Sequence, residues 1–432
     1  MILSWIAFVL CGLISRFILL VDFDQNECEL ISIFFIVFIS FFVIIDIVRR
    51  YKFKQECTIV SIGYLFRLFL LFWDYYCKKI FALPHSGSDS EMFHAVAYRK
   101  ANDISTRDYG ASYTNMLSII YRVFNDQRLI GQFFNVLLSM TAIYFFYKTL
   151  KLIISEKRYI ILGLMLISLS PNYAILSSIL LRESIMSCLI SISLYYFVLW
   201  WFKSSKYSFF FSIILCLYAA TFHSGAIAPA VGYIICWVLY DKKNNIFNFR
   251  FKTIFSVIFV LFLFMFINQR YGDSLFGRFQ IEKSIEEITG TQSSGRGSSG
   301  YRIGISTGVT VLDMLINTPL RTVYFIMSPM PWDWRGITDI ITFVLSSCFY
   351  FVGYIYVIKV LKNKSIIKSK NENLMIAMLL VMIAGCSIFA WGVSNAGTAM
   401  RHRDKFIAPY ILMWILAVQS LYVNRDKKEN VY

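Results

Sequence analysis

Residues 176–197 read LSSILLRESIMSCLISISLYYF, and the pair Arg182-Glu183 between two apolar stretches marks a point where a helix re-enters a membrane. A hydrocarbon core about 30 Å thick takes about 20 apolar residues per helix. Runs of that kind recur on both sides of the pair, near 3–21, 30–48, 59–76, 129–147, 159–177, 184–202, 208–222, 224–240, 253–268, 337–358, 374–392 and 405–423. They predict about twelve transmembrane helices. Composition agrees: 58% of the 432 residues are hydrophobic and 18% aromatic, against about 45–50% apolar in soluble domains. Continuous runs exclude a β-barrel, whose strands alternate. The first run has no basic segment before it and no small-residue cleavage site after it, so it reads as a span rather than a leader. The fold expected is an all-α polytopic membrane protein, a single membrane domain over 1–432 with amphipathic helices on its outer face and one large outer loop.

A net charge of +16 would point to nucleic acid in a soluble protein. Here the basic clusters (Arg49 to Lys54, Lys148 to Arg158, Lys203 and Lys206, Lys242 to Lys252, Lys359 to Lys370, Arg425 to Lys428) fall on one side when the spans alternate. The positive-inside rule makes that side cytoplasmic, with both termini inside, and leaves no role for nucleic acid. Most of the nine cysteines lie in apolar runs and read as small buried hydrophobes. A Cys28 to Cys77 disulfide is compatible with sidedness alone.

Two outer segments stand out. Residues 77–128 are charged, yet Met92, Phe93, Val96 and Ala97, then Met116, Leu117, Ile120 and Val123, have helical spacing and predict amphipathic helices lying on the surface. Residues 268–336 form the largest interruption, with a flexible QSSGRGSSG run, an apolar middle and a Pro/Trp end suited to the headgroup zone. Arg67 sits in mid-span, with Asp74 seven residues on and on the same helix face. A mid-membrane Arg costs about 3 kcal/mol, so it must face a partner or a wet cavity.

The candidate chemistry collects on the outer side. Asp89, Glu91, His94, Glu183 and His402 are the acids and histidines able to act as a base. Asp89 and Glu91 also suit a helix start, and Glu183 a helix N-terminus, where the macrodipole favours an acid. The histidines and acids match no metal template such as HExxH, and no metal or cofactor is expected. Outer-side arginines run against the positive-inside bias, and Arg grips phosphate through two parallel hydrogen bonds. Arg182, Arg401 and Arg403 abut spans and rank first for a polyprenyl-pyrophosphate ligand. Arg278, Arg302 and Arg335 in the large loop come next, with Arg67 inside the membrane. A competing account pairs Arg182 and Arg403 with Glu183 and Asp404.

The Phe/Ile/Lys-rich composition, about twelve spans, large outer loop and scattered outer arginines resemble the O-antigen and capsule repeat-unit polymerases (Wzy-type). Arg99 and Gly110 match an Arg, ten residues, Gly pattern found in outer loops of some members, and the large loop has no such match. The resemblance implies a glycosyltransferase of the bacterial inner membrane in lipopolysaccharide or similar surface-polysaccharide biosynthesis. It would join undecaprenyl-pyrophosphate-linked oligosaccharides at the periplasmic face, with membrane lipid and a chain-length regulator protein as partners. A second resemblance is to the GT-C lipid-dependent glycosyltransferases, which implies a catalytic acid in the first outer loop, at Asp22, Asp24 or Glu27; SPNYAILSSILLRES and AMRHRDKFIAPYIL look like segments seen in both groups. From another class, a flippase or transporter of lipid-linked glycans would also want outer and intramembrane Arg.

Overall fold

The computed structural model of the chain describes residues 1–18, 24–107, 109–248, 255, 300, 310–363, 369–393 and 395–429. It is an all-α membrane protein, whose described strands are one short hairpin, Tyr240–Asp241 (β1) with Ile246–Phe247 (β2). Among the described residues seven helices are long and apolar enough to cross a bilayer, or eight if one bent pair counts as a single crossing. Three shorter apolar helices accompany them, and the expected run 253–268 lies outside the described residues except for Phe255. Where the sequence reads as one membrane domain, the chain forms two compact units, Met1–Tyr195 and Tyr196–Tyr432.

The first unit comprises α1 (Ile2–Ile18), α2 (Gln25–Arg50), α3 (Lys54–Tyr76), α4 (Ser88–Ala101), α5 (Ala111–Phe124), α6 (Arg128–Ile153), α7 (Lys157–Ser168), α8 (Pro171–Ser178) and the start of α9 (Glu183–Lys203). Asp24 and Glu27, two acids available to a first-loop site, form a reciprocal cap on α2. The Glu27 N–H donates to Asp24 Oδ1 at 2.8 Å, and the Asp24 N–H to Glu27 Oε2 at 3.0 Å. Phe17, Phe34 and Phe41 project from α1 and α2, as lipid-facing side chains do. The predicted surface helices are α4 and α5, which pack on each other through Phe93, Ala97, Leu117 and Tyr121. At 14 residues each they are about 21 Å long, too short to cross. α6 is the buried centre, in contact with α2, α3, α5, α7 and α8.

The run 159–177, expected as one continuous span, is broken. α7 and α8 meet at 50°. Pro171 starts α8 because its ring cannot continue the preceding helix, so α7 stops at Ser168 and its last carbonyls need donors from outside the helix. Arg67 answers that break. It is fully buried, its Nη1 donates to Ser168 O at 2.7 Å and Gly63 O at 2.9 Å, and its Nε donates to Ser177 Oγ at 3.0 Å. Its guanidinium also lies 5.2 Å from the Tyr173 ring centroid. Gly63 permits the approach of α3 to α7, since a Cβ there would lie 2.8 Å from Ser168 O. The in-membrane partners of Arg67 are thus the ends of a broken helix, and Asp74 is held elsewhere.

The second unit contains the rest of α9, then α10 (Lys206–Phe222), α11 (Ala228–Leu239), α12 (Thr310–Met327), α13 (Ile337–Thr342), α14 (Cys348–Lys362), α15 (Lys370–Trp391), α16 (Ala396–Arg403) and α17 (Ile407–Glu429). α15 is its middle helix, packed by α11, α12 and α17, and Gly232 on α11 lets that helix approach the backbone of Val381. The tight break at 223–225 is a 3₁₀ turn, Ser224–Ile227, capped by His223, whose Nδ1 accepts the Gly225 N–H at 3.2 Å. The segment 268–336, expected as one outer loop, is not all loop: 310–327 forms α12 and packs on α15. All nine cysteines are free thiols, Cys28 and Cys77 included.

Candidate functional site

A polar stripe runs down α6 in the first unit. Arg128, Gln132 and Asn135 follow one another at positions i, i+4 and i+7, so they share one face of the helix and descend about 10 Å along its axis. Each holds a different neighbour. Arg128 Nη2 lies 3.7 Å from Asp74 Oδ2 on α3. Gln132 Nε2 donates to the same Asp74 oxygen at 2.7 Å and to Ser178 O at 3.2 Å. Asn135 Nδ2 donates to Tyr113 Oη at 3.0 Å, Ile179 O at 2.7 Å and Leu181 O at 3.0 Å. The last two carbonyls belong to the non-helical link between α8 and α9, the stretch that carries Arg182 into Glu183. Asn135 therefore stabilises a backbone break inside an apolar chain, where an unbonded carbonyl costs several kcal/mol.

The stripe leaves acceptors over. Asp74 is 1% exposed and Gln132 and Asn135 are 0% exposed, yet Asp74 Oδ1, Gln132 Oε1 and Asn135 Oδ1 have no hydrogen-bond partner among the described residues. Buried oxygens of this kind are costly unless something donates to them. A ligand rich in hydroxyl groups supplies such donors.

Over this end of the stripe sits α4. Glu91 accepts both Arg128 bonds, Nη1 to Oε2 at 2.7 Å and Nη2 to Oε1 at 2.8 Å, and a third from Lys78. The Arg128 hydrogen bonds, helped by Lys78 and opposed by burial, hold the Glu91 carboxyl down to about 2. So weak a base does not deprotonate a hydroxyl, and Glu91 acts as a latch between α4 and two cations. Burial, with the nearby Arg128 charge, lowers His94 to about 4, so its ring is neutral at pH 7. Its Nδ1 is 2.7 Å from Tyr121 Oη. Asp89, one turn from these groups, accepts a 2.5 Å hydrogen bond from Tyr109. Arg182 lies 5.8 Å from the Phe93 ring on α4, and Glu183 is buried in the first turn of α9. The first unit thus gathers Arg67, Asp89, Glu91, His94, Arg182 and Glu183 from the expected set, and adds Asp74, Lys78, Arg128, Gln132 and Asn135.

Both depressed values act on the acid side. His94 contributes stability that is fully present above its unfolded value near 6.5 and is lost as pH falls through about 4. Glu91 contributes stability present above its unfolded value of 4.5 and lost as pH falls through about 2. Hydrogen exchange over 88–101 is expected to lose protection in two steps on acidification. Glu91→Gln is expected to lower protection at pH 7 and to abolish the second step alone. An unchanged titration in that variant would show that Glu91 does not hold α4.

In the second unit Arg403 is 1% exposed. Its Nη1 donates to Ile326 O at 2.6 Å and Ser328 O at 2.8 Å, and its Nη2 to Ser346 Oγ at 2.6 Å and Ser347 Oγ at 3.2 Å. These bonds tie α16 to the end of α12 and the segment that leads into α14, so the described bonds of Arg403 brace the frame of this unit. Asp404, the alternative partner for Arg403, accepts from Tyr350 Oη at 2.8 Å. His402 is buried, with Lys405 Nζ 2.8 Å from its Nδ1 and the His223 ring 4.8 Å away. The Nδ1 of His402 is thus engaged by Lys405 within the unit. Arg401 is half-buried on α16. Arg335 is exposed, its N–H donating to Asp339 and its Nη2 to Gly300 O at 3.0 Å. Arg278 and Arg302 lie outside the described residues.

The residues that were missed had a visible signal. Arg128, Gln132 and Asn135 stand at helical spacing in an otherwise apolar run, but hydropathy averaged over a span hides three polar positions. Among the described residues no group of three or more His, Cys, Asp or Glu could hold a metal ion. No protein-family model and no curated protein matches the chain.

Proposed function

We propose that the protein is a glycan polymerase of the bacterial inner membrane, which joins oligosaccharide units carried on undecaprenyl pyrophosphate at the periplasmic face. The observation that carries this reading is the pairing, in the first unit, of buried oxygen acceptors with cations. Asp74, Gln132 and Asn135 offer oxygens to hydroxyl groups, while Lys78 and Arg128 meet on Glu91 at the same end of the stripe. Sugars are dense in hydroxyl donors, and a pyrophosphate leaving group needs positive charge rather than a strong acid.

In the proposed reaction an acceptor-sugar hydroxyl attacks the anomeric carbon of the donor glycan, and the bond from that carbon to the pyrophosphate oxygen breaks. Asp74 takes the hydroxyl proton through Oδ1, and the pyrophosphate leaves as an anion toward Arg182, Lys78 and Arg128. Asp74 is reached when α4 lifts, which requires the Glu91 contacts to open. The basic clusters support an orientation with both termini in the cytoplasm.

A broken span with polar groups at mid-depth is also how transporters build substrate sites, so a lipid-linked-glycan flippase is the second reading. Deleting the gene in its host separates them. A polymerase deletion leaves single repeat units on the surface lipid, whereas a flippase deletion leaves none. Absence of single units in the deletion strain would contradict the polymerase.

A further inference from the structure

At the opposite end of the first unit, α1 and α6 enclose a groove of about 640 Å³ that the stripe does not reach. Its walls are apolar: Ile2, Trp5, Ile6 and Val9 from α1 face Phe145 from α6. Ile2, Ile6 and Val9 are each at least half exposed, so the groove opens to the surrounding lipid. From Met1 to Leu10 it follows α1 for about 13 Å.

Its mouth is cationic. Arg50 and Lys148 flank one ring, each 5.9 Å from the Tyr144 centroid. The carboxylate that could neutralise them is engaged elsewhere: Asp46 takes the terminal ammonium of Met1 at 3.1 Å, the Ser4 N–H at 2.9 Å and the Ser4 hydroxyl at 3.0 Å. Among the described residues no acidic side chain forms an ion pair with Arg50 or Lys148.

We infer that this groove is a binding site for one anionic phospholipid, its phosphate between Arg50 and Lys148 and one acyl chain along α1. Two unopposed cations over a hydrocarbon slot select a negative headgroup on an aliphatic tail. A zwitterionic phospholipid brings its own cation beside the phosphate and leaves the two charges only partly answered, and the slot matches part of one acyl chain rather than a polyprenyl chain several times longer. The site is independent of the proposed reaction.

Trp5 in the wall reports occupancy. In bilayer nanodiscs, the fluorescence difference between the wild-type protein and Trp5→Phe isolates its signal, and brominated acyl chains quench it on contact. Brominated phosphatidylglycerol is expected to quench at a mole fraction about tenfold below brominated phosphatidylcholine. Arg50→Gln/Lys148→Gln is expected to erase that preference, and the control Lys151→Gln/Lys157→Gln to keep it. Equal quenching by both lipids, or a preference that survives the Arg50/Lys148 double substitution, would overturn the site. Displacement of the brominated phosphatidylglycerol by a lower mole fraction of polyprenyl phosphate would overturn the choice of occupant.

Discussion

Asp74→Asn is expected to cut polymer formation by a factor of about 10²–10⁴ while the protein still accumulates in the membrane. Asparagine has the shape of aspartate and keeps an amide oxygen for the Gln132 donor, now 2.7 Å from Asp74 Oδ2. Arg128 keeps its two bonds to Glu91. The packing of α3 on α6 therefore survives, and what disappears is the ability to accept a proton. Surface lipid carrying single repeat units is expected in place of long chains, at wild-type levels of the membrane protein. If Asp74→Asn makes full-length polymer, the base lies elsewhere, and Glu183 is the next acid to test on the same unit.

The second large effect concerns a residue that the sequence offers as a substrate ligand. Arg403→Leu is expected to destabilise the second unit by about 3–5 kcal/mol, because removing one partner from a buried charged network leaves the other groups unsatisfied. The carbonyl of Ile326 and the hydroxyls of Ser346 and Ser347 would lose the arginine as donor, and the Ser328 carbonyl would keep only the Ser347 hydroxyl, in a region where Arg403 is 1% exposed. Against a typical stability of about 5–15 kcal/mol that loss is large. Lysine cannot replace the arginine: its single nitrogen has three donors and no planar fork to span four acceptors. Membrane levels of Arg403→Leu and Arg403→Lys should both fall, measured by thermal solubility of the detergent-extracted protein. A normal level with lost polymer would return Arg403 to the pyrophosphate site. Arg182→Lys is the contrasting case, with protein levels held and polymer reduced.

What the sequence revealed and what it hid divide along a physical line. Apolar runs identify membrane helices because the bilayer imposes a length on each one, and the surface helices α4 and α5 were legible because Phe93 and Ala97, then Leu117 and Ile120, recur at helical spacing. The break after Ser168 was less so. Pro171 marks a helix start equally well in a loop and in the middle of a crossing, and only the buried Arg67 bonded to Ser168 O distinguishes the two. Arg67 and Asp74 share a helix face, yet about 10 Å of separation along the axis keeps them from bridging, so each is held by other elements. The role of Arg403 depends on carbonyls at positions 326 and 328, far away in the chain, and local pattern carries no information about such convergence. Glu91 and His94 were found by residue type, but their weak basicity comes from Arg128 and from burial, which residue type does not record.

Reconstitution gives the most direct test of the central claim, that a polar stripe beneath α4 joins lipid-linked glycans. Purified protein in liposomes would receive a synthetic oligosaccharide repeat unit on undecaprenyl pyrophosphate, with linkage followed by glycan ladder and released undecaprenyl pyrophosphate followed in parallel. The wild-type protein is predicted to build a ladder and to release one undecaprenyl pyrophosphate for each linkage formed, and Asp74→Asn to do neither. Movement of the lipid-linked unit across the bilayer with no ladder, or a ladder of wild-type length from Asp74→Asn, would contradict the account.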